Sequence, residues 1–288
     1  MILVTGASGQ LGQLVIQQLL TEVSQDQILA GVRDPSKAEQ LVKLGISVRQ
    51  VDYDQPATLN KAFEGVERLL LISSSAIGQR IDQHRNVIEA ASKAGVQLLA
   101  YTSLLHADTS PLALAEEHRA TEALLQVSGL NTLVLRNGWY TENYTGGLAA
   151  ALAHGKLLGC AGEGRIASAS RADYAAAAAK ALTGELPQGS RTYELAGDTA
   201  YTLAELATEV SRQTGQNISY QNLSEADYCD ALIQVGLPPA FAGLLADSDT
   251  GAAKGGLFDD SHQLSQLIGR PTTSLQAAVT EALNVVVQ

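Results

Sequence analysis

Basic side chains are scarce in this chain. Lys plus Arg number 19 against 30 Asp plus Glu, a formal net charge of −11 over 288 residues. That balance excludes a sequence-independent grip on nucleic acid, which needs a basic face, and it repels anionic membrane surfaces. An anionic small molecule can still bind where the field is locally positive. Cysteine is also scarce: Cys160 and Cys229 are the only two, they lie far apart, and neither belongs to a Cys-x-x-Cys. No disulfide framework and no metal site are expected, and two reduced thiols fit a cytoplasmic protein. No apolar run approaches the length that crosses a bilayer. The chain enters strand-like residues at once, without a basic and apolar leader, so no membrane insertion is expected. Aromatic residues are only 5% of the chain, which leaves Ala, Leu, Val and Ile to build the core.

What is present is alternation. MILVTG reads as a strand and QLGQLVIQQLL as a helix with Leu11, Val15 and Leu19 on one face. QILAGVR is a second strand, PSKAEQLVKLG a second helix opened by Pro35 and closed by Gly45, and ISVRQVDY a third strand. QPATLNKAFEGV, HRNVIEAASKAGV and EEHRATEALLQVSGL are further helices, separated by the strands RLLLISSS, QLLAYTSLL and NTLVLRNG. Strands alternating with helices of this length give βαβ units and a parallel sheet. Right-handed crossovers then predict an α/β fold, a Rossmann-type doubly wound parallel sheet. After about residue 145 the pattern loosens into a Gly-rich stretch, an Ala-rich helix in RADYAAAAAKAL, a strand in RTYELAG and further helices. The expectation is a dinucleotide-binding domain over 1–145, with segments near 165–200 returning to it, and a smaller, partly interleaved α/β substrate region over 146–288.

The sharpest motif is TGASGQLG, with Gly6, Gly9 and Gly12 between a predicted strand and a predicted helix. Gly6 allows the tight turn, Gly9 lets backbone approach a pyrophosphate, and Gly12 permits close helix–sheet packing. Free N–H groups at the helix start then face the anion. The second strand ends at Arg33, where an NAD-preferring site normally has an acidic residue for the ribose 2′-OH. A guanidinium there suits a 2′-phosphate, and Lys37 adds charge one turn on, so the cofactor expected is NADPH. Asp52, followed by Tyr53, stands where such folds touch adenine and is equally placed as a helix N-cap. Ser73, Ser74 and Ser75 follow the fourth strand and suit ribose and pyrophosphate. NGWYTENY after the sixth strand places Asn137, Gly138, Trp139 and Tyr140 to wall a nicotinamide, although Trp139 could equally be core. His106 and His118 are the histidines nearest the expected reaction centre.

One absence bears on the chemistry. No Tyr is followed four residues later by Lys, so the pair that protonates a nascent alkoxide in many dehydrogenases is missing. The reaction must tolerate a weak acid, or there is no reaction. A quinone meets that requirement. Hydride addition to it leaves a phenolate-type anion whose conjugate acid has a pKa of roughly 10, so protonation can come late, from water or a histidine.

GASGQLG, the Arg after the second strand and the missing Tyr-x-x-x-Lys together resemble the NmrA-like branch of atypical short-chain dehydrogenase/reductases. LLLISSS, QHRNVI, AYTSLLHADTSPLALAEEH, LRNGWYTENY, RADYAAAAA, YELAGD, YQNLSEADY and ADSDTGAAKGGLFDDS are similar, within that branch, to the bacterial flavin-free NADPH:quinone oxidoreductases. The resemblance spans essentially the whole chain. It implies NADPH-dependent two-electron reduction of a quinone in the cytoplasm. It maps the cofactor onto Gly6, Ala7, Ser8, Gly9, Gln10 and Leu11, then Arg33, Ser73 to Ser75, and Asn137 to Asn143, which includes Glu142 and Asn143. It also brings in Ser168 and Arg171, and sets His118 near the place of the catalytic Lys of dehydrogenase relatives. His118, His106 and Tyr140 are the catalytic candidates. Because the branch also contains regulators, a non-catalytic NADP(H) sensor with a protein partner is the alternative. The sequence does not specify the oligomeric state.

Overall fold

Short apolar runs separated by glycine-containing turns build the sheet. In the computed structural model, which describes residues 1–286, the chain opens with β1 (Ile2–Val4), α1 (Gln10–Glu22), β2 (Ile28–Val32), α2 (Glu39–Lys43) and β3 (Ser47–Gln50). It continues with α3 (Pro56–Ala62), β4 (Arg68–Leu71), α4 (Arg80–Ala94), β5 (Leu98–Leu104), α5 (Ala115–Val127) and β6 (Asn131–Asn137). Then come α6 (Glu142–Thr145), α7 (Leu148–His154), β7 (Lys156–Gly159), α8 (Arg171–Thr183), β8 (Ser190–Leu195) and α9 (Leu203–Thr214). The last elements are β9 (Ser219–Asn222), α10 (Glu225–Gln234), α11 (Pro239–Ala253), α12 (Gln263–Ile268) and α13 (Leu275–Val286).

Seven strands form one sheet in the order β3-β2-β1-β4-β5-β6-β8, with β1 through β6 parallel. The direction of winding reverses between β1 and β4, the switch point at which open α/β sheets bind ligands. β1, β2 and β5 are buried along their whole length, as expected of strands covered on both faces. Alternate residues serve the two faces. Leu3, Leu29, Leu69, Leu71, Leu99, Tyr101 and Val134 join Leu59, Phe63, Val87 and Leu125 in one cluster beneath α3, α4 and α5. α1 and α8 pack together and against the strands. The alanines of α8 are mostly buried, and their small side chains let the two helices approach closely. The ion pair of Lys180 with Glu22, at 2.6 Å, joins the same two helices at their edge. This is the doubly wound architecture that the alternation predicts.

The chain divides into two compact units. The first comprises Met1–Ala107, Glu116–Asn137 and Arg171–Tyr193; the second comprises Asp108–Ala115, Gly138–Ser170 and Glu194–Gln288. The sequence reading placed 1–145 in the first domain with segments near 165–200 returning to it; here the chain leaves the first unit over Asp108–Ala115 and again over Gly138–Ser170. In the second unit, β7 and β9 form a parallel pair, Leu157 opposite Tyr220. α9 packs on that pair and on α13. It starts at a capping box in which Thr202 accepts from the Glu205 N–H while the Glu205 carboxylate accepts from the Thr202 N–H.

Three local readings are corrected. The single helix expected over PSKAEQLVKLG is a 3-10 turn, Pro35–Lys37, followed by the separate α2. Asp34 caps the turn through the Ser36 N–H at 3.0 Å, and the helix restarts only at Glu39. The Gly-rich stretch contains β7, and the segment around Tyr220 contains β9, two strands that the sequence reading did not include. The helix after the third strand begins at Pro56 with Gln55 at its N-cap, so Asp52 does not cap it.

Candidate functional site

In the first unit, the C-terminal ends of β1, β2, β3, β4 and β6 lie along one edge of the sheet because these strands are parallel. β1 ends at Val4, and Gly6 turns the chain with φ +57°, a conformation that side-chain-bearing residues rarely adopt. The Gly9 N–H closes the turn on the Gly6 carbonyl at 2.9 Å. A Cβ on Gly12 would lie 2.3 Å from the Gly6 carbonyl oxygen and 2.7 Å from the Ala7 Cα, so only glycine lets α1 start this close to the turn. A Cβ on Gly9 would meet only the Gly6 carbonyl oxygen, at 3.2 Å.

Ser8, Gly9 and Gln10 are exposed, whereas the Ala7 and Leu11 side chains are buried; these last two therefore offer only backbone to the turn. Gly9 is the N-cap of α1 and gives it no side-chain cap, and the first turn holds no acidic residue. Its leading N–H groups and the positive end of its dipole are thus open to an outside anion. The glycine cradle and this bare helix start fit the diphosphate of a dinucleotide.

Arg33 and Lys37 are exposed just beyond β2. The adjacent Asp34 does not draw off the guanidinium. Its Oδ1 accepts from the Ser36 N–H at 3.0 Å and from the Ser36 hydroxyl at 2.7 Å, bonds that also hold its pKa down. Asp52, after β3, has both carboxylate oxygens engaged in its own turn, by the Asp54 N–H at 3.1 Å and by Gln55 Nε2 at 2.7 Å.

Tyr53 does something the sequence reading missed. Its hydroxyl donates to the Ile72 carbonyl at 2.8 Å and touches Thr5 Oγ1. Thr5 in turn accepts from the Ile72 N–H at 3.0 Å and donates to the Leu70 carbonyl at 2.9 Å. The ends of β1 and β4 and the turn after β3 are thereby tied together directly beneath the glycine turn. Burial raises the Tyr53 pKa, so the hydroxyl keeps its proton.

Ser73 and Ser74 are half-buried and Ser75 is exposed. The Ser73 N–H donates to Thr102 Oγ1 at 2.9 Å, and the Ser74 N–H donates to His84 Nε2 at 3.0 Å. Asn137 ends β6 with 5% exposure, and its Oδ1 is buried without a hydrogen-bond partner among the described residues. His118 is buried, its Nδ1 2.7 Å from the Tyr101 hydroxyl. Desolvation, reinforced by the nearby Arg80 charge, lowers its pKa to about 3. At neutral pH the ring is therefore held in its neutral form. His106 is half-buried and sits at φ +50°, an uncommon conformation for a histidine. Arg171 opens α8, also half-buried.

In the second unit, the Gly138 N–H donates to the Leu195 carbonyl at 2.7 Å. Trp139 is 7% exposed, which places its indole in the interior. Tyr140, Glu142 and Asn143 are half-buried, and Tyr140 pairs with Ala169 in a parallel bridge. Ser168 is buried, its hydroxyl 2.8 Å from Thr141 Oγ1 and 2.7 Å from the Tyr201 hydroxyl.

The buried Asp249 of α11 was not singled out by the sequence. Its Oδ1 accepts from the Tyr144 hydroxyl at 3.1 Å and its Oδ2 from the Cys160 N–H at 2.9 Å. Burial pushes its pKa up to about 6. Among the described residues no group of three or more His, Cys, Asp or Glu could hold a metal ion, and no helix is long and apolar enough to cross a membrane.

A glycine cradle at the switch point of a doubly wound sheet, with a cation after β2, defines a dinucleotide-binding protein. The model of the NAD(P)H-binding family matches residues 6–185. The chain belongs to that family, in its NmrA-like branch. It is 58% identical over 285 residues, 99% of each chain, to quinone oxidoreductase 2 of Escherichia coli. It is 30% identical to an NmrA-like family domain-containing oxidoreductase of Aspergillus flavus, over 98% of this chain and 94% of that one. Among solved structures it resembles the NADPH-dependent quinone oxidoreductase of E. coli complexed with NADPH, with a TM-score of 0.95 and 58% identity, covering 99% of this chain and 100% of that one.

Proposed function

We propose that this protein is an NADPH-dependent quinone oxidoreductase that reduces a quinone to the hydroquinone by direct two-electron hydride transfer, without flavin. The observation that carries this reading is the 58% identity to E. coli quinone oxidoreductase 2 over 99% of both chains, joined to a cradle that fits a dinucleotide. The Gly6–Gly12 backbone holds the diphosphate at the start of α1. Arg33, with Lys37 beside it, pairs with the 2′-phosphate. Ser73 to Ser75 would receive the ribose, Asp52 would lie on the adenine side, and Asn137, whose Oδ1 has no partner among the described residues, would wall the nicotinamide. Arg171, at the start of α8, completes the set in this unit. Bound NADPH supplies a hydride.

The residues also explain the choice of acceptor. The chain lacks the Tyr-x-x-x-Lys pair, and burial keeps His118 neutral. An acceptor that needs a proton during hydride transfer therefore finds neither the Tyr–Lys pair nor a charged His118 to supply it. A quinone leaves a hydroquinone anion with a conjugate-acid pKa of roughly 10, which takes its proton from water afterwards. We also assign the chain to the atypical short-chain dehydrogenase/reductases and to the cytoplasm, where the free thiols of Cys160 and Cys229 stay reduced. The test is NADPH consumption by purified protein that shows no flavin absorbance, with benzoquinone as acceptor. Turnover supports the assignment. Tight NADPH binding without turnover on any simple quinone refutes it and favours an NADP(H) sensor.

A further inference from the structure

The proposed chemistry makes no use of a polar cluster buried behind the loop that follows β4. His84, Thr121 and Tyr101 are fully buried, His118 is 5% exposed and Arg80 8%. Such groups are tolerated inside a protein only when hydrogen-bonded, so their partners reveal what they hold. Between Leu71 and Arg80 no residue lies in a strand or helix, and beyond two short backbone bonds, Ile77 N–H to the Ser75 carbonyl and Gln79 N–H to the Ala76 carbonyl, the loop backbone is held by side chains. The Ser73 N–H donates to Thr102, the Ser74 N–H to His84 Nε2, and the Gly78 N–H to Glu117 Oε1 at 2.9 Å. The Ser74 carbonyl accepts from Arg80 Nε. Both ends of the serine loop are pinned by α4, β5 and α5.

The proton positions follow from the donors. A backbone N–H can only donate, so His84 Nε2 carries a lone pair and the ring proton sits on Nδ1. Nδ1–H then donates to Thr121 Oγ1 at 2.9 Å, and the Thr121 hydroxyl donates to the Glu117 carbonyl at 2.9 Å. Arginine has only donors, so His118 Nε2, 3.5 Å from Arg80 Nη1, keeps its lone pair as well. Protonating His84 would cancel the acceptor that Ser74 uses. The surroundings oppose it: Arg80 on the same helix, Tyr101 from β5 and Tyr53 from the turn after β3 lie around the ring, with His118 and Glu117 on α5 beyond. Desolvation first, and the Arg80 charge second, lower its pKa to about 3.

We propose that His84 is a positioning residue for NADPH: its neutral Nε2, locked in one tautomer by Thr121, fixes the Ser73–Ser75 backbone on which the cofactor lies. This rests on the functional reading above. The test compares wild type, His84→Leu and His84→Gln by direct NADPH titration and by steady-state turnover of benzoquinone. Leucine removes the acceptor for Ser74, and glutamine returns one through Oε1. The expected result is an NADPH Kd raised about tenfold in His84→Leu and within about threefold of wild type in His84→Gln, with the quinone KM within about twofold in both.

A purely structural role would not give this split between cofactor and quinone, nor the rescue. Equal NADPH affinity in all three proteins overturns the proposal alone, whereas wild type that binds no NADPH overturns the functional reading and the proposal with it. If His84→Leu does not fold, long-range proton–nitrogen spectra of labelled wild type decide. A neutral Nδ1–H tautomer, unchanged between about pH 5 and pH 8, supports the proposal; an Nε2–H tautomer or a titration in that range overturns it.

Discussion

Replacing Gly12 and Gly9 one at a time with alanine separates packing from binding in the glycine turn. At Gly12 the new methyl would stand 2.3 Å from the Gly6 carbonyl oxygen and 2.7 Å from the Ala7 Cα. Both are backbone atoms that no rotamer change can move, so α1 must shift away from β1. Overpacking of this kind costs about 3 kcal/mol, and it also displaces the N–H groups at the helix start. At Gly9 the backbone is extended, φ −78° and ψ 167°, which alanine adopts freely. The one close contact, 3.2 Å to the Gly6 carbonyl oxygen, is relieved by a shift of a few tenths of an ångström. The smaller unfolded-state entropy of alanine offsets it, so stability stays within about 1 kcal/mol of wild type.

The Gly9 methyl instead occupies the approach to the turn. Gly9→Ala is therefore expected to unfold at nearly the wild-type urea midpoint yet bind NADPH at least about tenfold more weakly. Gly12→Ala is expected to lose both stability and binding. Urea unfolding followed by circular dichroism, with NADPH titration by fluorescence, reads both quantities. If Gly12→Ala matches wild type in stability, or Gly9→Ala binds NADPH normally, the geometry assigned to the turn is wrong.

Arg33→Ala should lower the ratio of NADPH to NADH affinity by about 10–100-fold, the size of a lost charge-assisted phosphate contact; an unchanged ratio removes Arg33 from the 2′-phosphate site. Asp249 makes a pH-dependent prediction. Its folded pKa of about 6 exceeds the ordinary 3.8, so ionisation opposes folding: the penalty is absent below about pH 4, grows through pH 6 and is constant above, reaching on the order of 3 kcal/mol. Asp249→Asn keeps both hydrogen bonds, with Oδ1 accepting from Cys160 N–H and Nδ2 donating to the Tyr144 oxygen. It should match wild type near pH 4 and exceed it by a few kcal/mol near pH 7 in urea unfolding. A difference independent of pH would show that the carboxyl does not titrate as described.

The parallel sheet was legible because its strands are nearly continuous apolar runs bounded by glycine and by amphipathic helices, a pattern that burial on both faces imposes locally. The glycine turn was legible because close backbone at Gly12 and a positive φ at Gly6 restrict those two positions to glycine. The two-stranded pair of β7 and β9 was not legible. Lys156–Gly159 and Ser219–Asn222 are four residues each and partly exposed, and they pair across a long separation that no window of sequence contains. Asp52 looked like a helix cap from composition, but Pro56 starts α3 and shifts the cap to Gln55. The buried polar groups were the hardest. His84 and Gln83 sit in a helix that reads as polar, and both are buried, because their partners are loop backbone and the Asp54 carboxylate. Periodicity marks which residues avoid water and says nothing of a polar side chain buried to hold a loop.

The central claim is hydride transfer from NADPH straight to a quinone on a protein that carries no flavin. Its most direct test is single-turnover kinetics of flavin-free protein with benzoquinone, using NADPH and NADPH deuterated at the transferred position. The account predicts one hydroquinone formed per NADPH consumed, no semiquinone radical, and slower transfer from the deuterated cofactor. Transfer that requires added flavin, or NADPH that binds and is never consumed, would contradict it.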